Sequence, residues 1–130
     1  HVCQMVRGVF DGRVAFADGD RELAPGLSVH LIGGHSKGMQ VVRARTARGW
    51  LVIASDATHY YENFETGRPF IITHDVEATL RGYDRLRELA SSPAHVIPGH
   101  DPLVLRRYPA PEPRLEGIVA RLDAEPRPGS

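Results

Sequence analysis

The order of apolar and polar positions divides the chain into strand-like runs first and a helical stretch afterwards. Residues 5–10 (MVRGVF) and 13–17 (RVAFA) are rich in β-formers and flank Asp11-Gly12, so they predict a β-hairpin. Asp18-Gly19-Asp20 and Pro25-Gly26 predict two further turns. Across residues 27–32, Leu27, Val29 and Leu31 alternate with Ser28, His30 and Ile32, which predicts a strand with one strongly buried face. After the break at 33–38 (GGHSKG) a strand resumes over 39–46 and turns at Ala47-Arg48-Gly49. It returns as the continuously apolar run 50–54 (WLVIA), expected to be covered on both faces.

Residues 57–74 read as a long polar and aromatic loop, ordered by Tyr60, Tyr61, Phe64 and Phe70. A helix is predicted over 75–90, where Val76, Leu80, Tyr83, Leu86 and Ala90 recur at steps of three and four. Asp75 is placed to cap it and Glu77 to favour its first turn. A short buried strand is expected at 94–97, then Pro98-Gly99-His100-Asp101-Pro102, a Pro-rich stretch and a weaker helix over 114–122. Strands before helices predict an α+β chain, with one domain over 1–123 and a flexible tail over 124–130.

Composition narrows the function classes. With 16 Lys+Arg against 16 Asp+Glu the chain is formally neutral, which argues against a nucleic-acid or anionic-membrane partner. The single Cys3 excludes an internal disulfide framework or a CxxC zinc site and reads as a small apolar filler. No apolar run approaches a membrane span, and the start does not read as a signal peptide, so a cytoplasmic setting is expected.

The chemistry concentrates in three turns. His35 follows Gly33-Gly34, His100 follows Pro98-Gly99, and Asp56 follows the apolar run in Ser55-Asp56-Ala57. Each lies directly after a predicted strand, so neighbouring strands would bring all three to one sheet edge. Imidazole nitrogen and carboxylate oxygen suit zinc, and also iron, manganese or cobalt. His30 and His95 fall inside strand patterns and read as hydrogen-bonded structural histidines; His74 reads as a capping or exposed residue, and His1 is given no role. Trp50 and Tyr83 read as core positions, and Asp101 as a turn former before Pro102 or a carboxylate supporting the site. Arg68-Pro69-Phe70 reads as loop packing or as the lining of an acyl pocket.

These motifs resemble the metallo-β-lactamase superfamily. The segment 33–40 (GGHSKGMQ) is similar to its PGHTPGHQ segment, Ser55-Asp56-Ala57 to its GDA segment, and Pro98-Gly99-His100 to its final GH ligand. The separations, 21 and 44 residues, and the intervening YENFE and RPF stretches resemble the N-acyl homoserine lactonase branch over residues 20–108. The resemblance implies the C-terminal half of an αββα sandwich, a mixed sheet with flanking helices, the first half missing. It implies a dinuclear site for two divalent metal ions, zinc foremost, with His35, Asp56 and His100 as ligands and Asp56 bridging. The implied reaction is hydrolysis of a lactone ring, N-acyl homoserine lactone-like, by a metal-bridging hydroxide.

The sequence departs from that pattern twice. It contains no HxHxDH, so the ligand set is incomplete, the site is expected to hold metal weakly, and the chain alone is expected to be inactive. Lactonases of the family carry a tyrosine three residues after the bridging aspartate; here that position is His59, followed by Tyr60 and Tyr61. His59 or Tyr60 is therefore expected to take its catalytic role beside Asp56. The expected partners are a small lactone or ester and, through an exposed sheet face, the missing N-terminal half or a second copy. A glyoxalase II-like thioester hydrolase and a non-catalytic interaction domain are the alternative readings.

Overall fold

The structure is a computed structural model that describes residues 2–129; His1 and Ser130, the end of the expected tail, lie outside it. Five strands form one mixed sheet in sequence order: β1 (Arg21–Ala24), β2 (Leu27–Leu31), β3 (Gln40–Thr46), β4 (Gly49–Ser55) and β5 (Val96–Pro98). The first four pair antiparallel, β1–β2 and β3–β4 through two-residue turns and β2–β3 through the loop 32–39. The last pair, β4 and β5, is parallel, which requires a long crossover. That crossover carries α2 (Tyr61–Thr66) and α3 (Val76–Leu89). The fold is thus α+β with a mixed sheet and flanking helices, as the sequence predicts.

The register separates the sheet's two faces. Val41, Val52, Ala54 and Val96 form one buried cluster with Tyr83, Leu86 and Leu89 of α3 and Phe64 of α2. Each of its Val, Leu and Phe side chains contributes about 1.5–3 kcal/mol when fully buried. Val29, Val42, Ile53 and Ile97 form a row on the opposite face. There Leu27, Leu31 and Ile53 are 37–41% exposed. The expected buried face of β2 and two-sided cover of β4 are therefore corrected at these three residues. Alternation says which side chains share a face, not which face another element covers.

The clearest correction lies at the N-terminus. Instead of a hairpin, Val2–Phe10 forms a helix, α1, and no strand occurs over 13–17. Val2, Met5, Val6 and Val9 follow a helical period that a six-residue window hides. Asp11-Gly12 ends this helix: the Gly12 and Arg13 amides donate to the Val9 and Gly8 carbonyls, the paired closure typical of helix C-termini. Cys3 on α1 is exposed and fills no core. The fully exposed edge strand β1 is not anticipated in the sequence, since RELA carries no alternating apolar signal.

Within the expected loop, Tyr61 and Phe64 are both buried one helical turn apart, and the Asn63 side chain accepts from the Tyr60 amide to start α2. The predicted helix 75–90 is α3, and the Asp75 carboxylate caps it by accepting from the Ala78 amide at 2.9 Å. Its buried stripe runs through Thr79, Gly82, Tyr83, Leu86 and Leu89, leaving Val76 and Leu80 exposed. The helix expected over 114–122 is only a 3-10 turn, Pro113–Leu115, because Gly117 turns the backbone to φ +75° and breaks the helical path. A short helix, α4 (Leu103–Arg107), precedes it instead. No helix among the described residues is long and apolar enough to cross a membrane.

Candidate metal centre

Three strand ends and one crossover build the site. β2 runs into the turn carrying His35, β4 delivers Asp56, β5 delivers His100, and His59 follows three residues after Asp56 on the way into α2. Ser55, at the mouth of β4, adopts φ +47°, an uncommon conformation for a residue with a side chain, and turns the chain toward Asp56. Gly99 lets the β5 end approach that turn: a Cβ on it would lie 2.6 Å from the Ser55 carbonyl carbon and oxygen. The Gly99 and His100 amides donate to the Thr58 and His59 carbonyls at 3.1 and 3.0 Å, fastening the two loops side by side. Gly34 plays the same part beside α3, since a Cβ there would sit 2.5 Å from Thr79 Oγ1.

The side chains converge on one carboxylate. His100 Nε2 donates to Asp56 Oδ1 at 2.6 Å, and His59 Nε2 lies 3.4 Å from the same oxygen. His35 Nε2 stands 4.0 Å from Asp56 Oδ2. His35, Asp56 and His100 are thus brought together as the sequence predicts, with His59 among them. Tyr60 lies at the rim, 45% exposed, its ring edge-on to His59 at 6.3 Å.

The electrostatics are those of a carboxylate ringed by imidazoles. The His100 hydrogen bond holds the Asp56 carboxyl below the usual range against the opposing effect of burial. Burial, and then the nearby His100, hold the His59 ring below the usual imidazole range. Each ring is set by contacts that the sequence does not display. His35 Nδ1 donates to the Ile72 carbonyl at 2.9 Å, which in the neutral ring leaves the Nε2 lone pair facing Asp56. Phe70 stacks on His59 with centroids 3.5 Å apart and planes 10° from parallel. Phe70 is legible as an aromatic in RPF; the Ile72 carbonyl, a backbone group, has no residue-type signal.

The donor set fits a divalent cation. His59 Nε2 is buried without a hydrogen-bond partner among the described residues. The His35 Nε2 lone pair and Asp56 Oδ2 face each other as two acceptors. A cation satisfies both arrangements. One donor atom from each of Asp56, His59 and His100 lies within 4.8 Å of the others. Elsewhere, His30 and His95 are structural, each with both ring nitrogens bonded: His30 to Ser28 and Asp20, His95 to Ser92 and the Arg48 carbonyl. His74 is exposed. Asp101 accepts from the Tyr61 and Leu103 amides, so it shapes its turn and tethers α2.

Comparison with known proteins agrees with this geometry. No family model matches the chain. It is 35% identical over 86 residues to an N-acyl homoserine lactonase of Bacillus cereus, an alignment covering 65% of this chain and 34% of that protein. An N-acyl homoserine lactonase of Bacillus thuringiensis matches with the same identity and coverage. The chain spans about a third of the length of the curated relatives it matches. Among solved structures, an N-acyl homoserine lactone hydrolase with N-hexanoyl-L-homoserine at its catalytic metal centre superposes with a TM-score of 0.60 at 32% identity. That match covers 67% of this chain and 35% of the other. A dizinc quorum-quenching lactonase in complex with a product superposes at 0.57 with 16% identity, covering 76% and 35%, a likeness of fold alone. Over the stretch it shares with them, the chain has the metallo-β-lactamase-superfamily fold, and its relatives there are N-acyl homoserine lactonases.

Proposed function

We propose that the chain is part of a metal-dependent hydrolase that opens lactone rings of the N-acyl homoserine lactone type. The observation that carries this reading is the meeting of Asp56 with His35, His59 and His100 at the strand ends. The lactonase relatives and their product-bound metal centre support it. His35, Asp56 and His100 would hold the metal, as zinc or a similar divalent ion at up to two positions, with Asp56 able to serve both through its two oxygens. A divalent ion supplies Lewis-acid polarisation of the ester carbonyl and lowers the pKa of water into the neutral range.

The chain's own residues do the rest. The Ile72 carbonyl and the Phe70 ring fix the His35 and His59 imidazoles, so the donors are organised before substrate arrives. Asp56, held ionised by His100, offers a proton acceptor beside the reacting centre. His59 at the wall and Tyr60 at the rim are the side chains set to meet the substrate's carbonyl and leaving oxygen. The open apolar face, with Leu27, Leu31 and Ile53 exposed, is the surface on which the remainder of an αββα sandwich would pack.

The test is hydrolysis of N-hexanoyl-homoserine lactone by the full-length gene product, followed by proton release with and without chelator. Turnover that chelation stops and zinc restores, and that His100→Ala lowers at least about 100-fold, is the expected result. Unaltered turnover after His100→Ala overturns the reading.

A further inference from the structure

We propose that, in the substrate-free chain, Asp56, His59 and His100 together hold a single divalent transition-metal ion, with His59 Nε2 as a ligand. This rests on the metal-dependent reading of the site and goes beyond it, because the resemblance assigns no ligand to position 59. A histidine there replaces a phenol with a nitrogen donor of the kind zinc and cobalt take up.

Geometry carries the inference. Donors about 2.1 Å from one ion at tetrahedral corners stand about 3.4 Å apart. His59 Nε2 lies 3.4 Å from Asp56 Oδ1, and the three donor atoms span no more than 4.8 Å. Closing that span asks for side-chain rotation only. The backbones are already fastened, since the His100 amide donates to the His59 carbonyl at 3.0 Å. His100 Nε2 now donates to Asp56; on binding metal that nitrogen gives up its proton to solvent, the neutral ring carries its one proton on Nδ1, and the Nε2 lone pair faces the ion.

The state of His59 points the same way. Its Nε2 is buried without a hydrogen-bond partner among the described residues, an arrangement that native proteins rarely leave unanswered. The stacked Phe70 ring holds the imidazole flat, with that nitrogen on the Asp56 side. The ion pairs of Asp56 among the described residues are with imidazoles, so no Lys or Arg competes with a cation. Two imidazoles and a carboxylate form a three-ligand set with an open position, the composition of a catalytic rather than a structural zinc site. His35 stands outside this set, near the other carboxylate oxygen.

The experiment titrates the metal-stripped chain with Co(II), read by its visible absorption, and with Zn(II) against a chromophoric chelator. One equivalent should bind. His59→Gln should weaken binding at least about 10-fold and alter the Co(II) spectrum, whereas Asp20→Asn, outside the cluster, should stay within about threefold. Phe70→Leu, which keeps every donor, should weaken binding less than His59→Gln. His59→Tyr provides a second removal of the nitrogen, with circular dichroism of the metal-free variants confirming their fold. Unchanged affinity and spectrum in the His59 variants, together with loss in His100→Ala, overturns this inference and leaves the broader reading standing. A greater loss in His35→Ala than in His59→Gln overturns it in the same way. No binding by the unaltered chain overturns this inference, and the turnover of the full-length gene product decides the broader reading separately.

Discussion

Two aspartate–histidine clusters in the molecule use similar parts to opposite ends. Asp20 accepts from His30 Nδ1 at 2.8 Å, from the Leu31 amide at 3.1 Å and from Arg85 at 2.9 Å. Its charge is answered by a guanidinium, and the second ring nitrogen of His30 is occupied by the Ser28 hydroxyl. Among the described residues Asp56 has three imidazoles around it and no guanidinium, and the nitrogen of His59 that faces it has no hydrogen-bond partner. The first cluster is complete within the protein and joins β2 to α3. The second leaves a buried imidazole nitrogen without a hydrogen-bond partner among the described residues, which is the basis for proposing a cation there. What separates His30 from the histidines around Asp56 is that both of its ring nitrogens are bonded within the protein, whereas His35 and His59 each leave Nε2 without a hydrogen bond among the described residues.

The largest break in that comparison is expected from the carboxylates themselves. Asp56→Asn should reduce Zn(II) affinity at least about 100-fold, while Asp20→Asn should leave it within about threefold, because the two sites share no partner. A chelator-competition titration of both variants reads the difference. Gly99→Ala comes next. The added methyl would meet the Ser55 backbone at 2.6 Å, so it should cost about 1–3 kcal/mol and lower Tm by several degrees in a scanning melt. It should also weaken metal binding, since it separates His100 from Asp56.

The smallest effect should come from the complete cluster. The Asp20 side chain is 44% exposed, so after solvent screening its bonds contribute roughly 0.5–1 kcal/mol. The His30 hydrogen bond holds its carboxyl below the usual value, with burial opposing and Leu31 and Arg85 assisting. A carboxyl lowered in the folded state stabilises above its unfolded pKa of about 3.9, and that stability is lost as pH falls through the lower folded value. Asp20→Asn should therefore lower Tm slightly at neutral pH, with the difference shrinking as pH falls below about 3.9, as a series of melts would show.

Much of this site was legible in the sequence for a physical reason. His35, Asp56 and His100 each follow a strand in a short turn, and residue type reports directly on ligand chemistry. The central strands and α3, capped by Asp75, were legible because their period is long enough to count. The N-terminal segment was not: MVRGVF is short, and its β-branched residues mask a helical stripe that begins at Val2. The exposure of Leu27, Leu31 and Ile53 was hidden because a strand pattern is silent on which face is covered. His59 was visible only as a departure from a tyrosine. Its place beside Asp56 depends on the Phe70 stack and on the hydrogen bonds between the loops, none of which local sequence encodes.

Anomalous diffraction at the zinc edge from crystals of the chain grown with Zn(II) examines the metal centre without recourse to activity. The expected result is a peak about 2.0–2.2 Å from an Asp56 carboxylate oxygen and from the Nε2 atoms of His59 and His100. A chain that carries no peak there, or that gathers zinc at Asp20 and His30 instead, would show that the Asp56 cluster is not a metal centre.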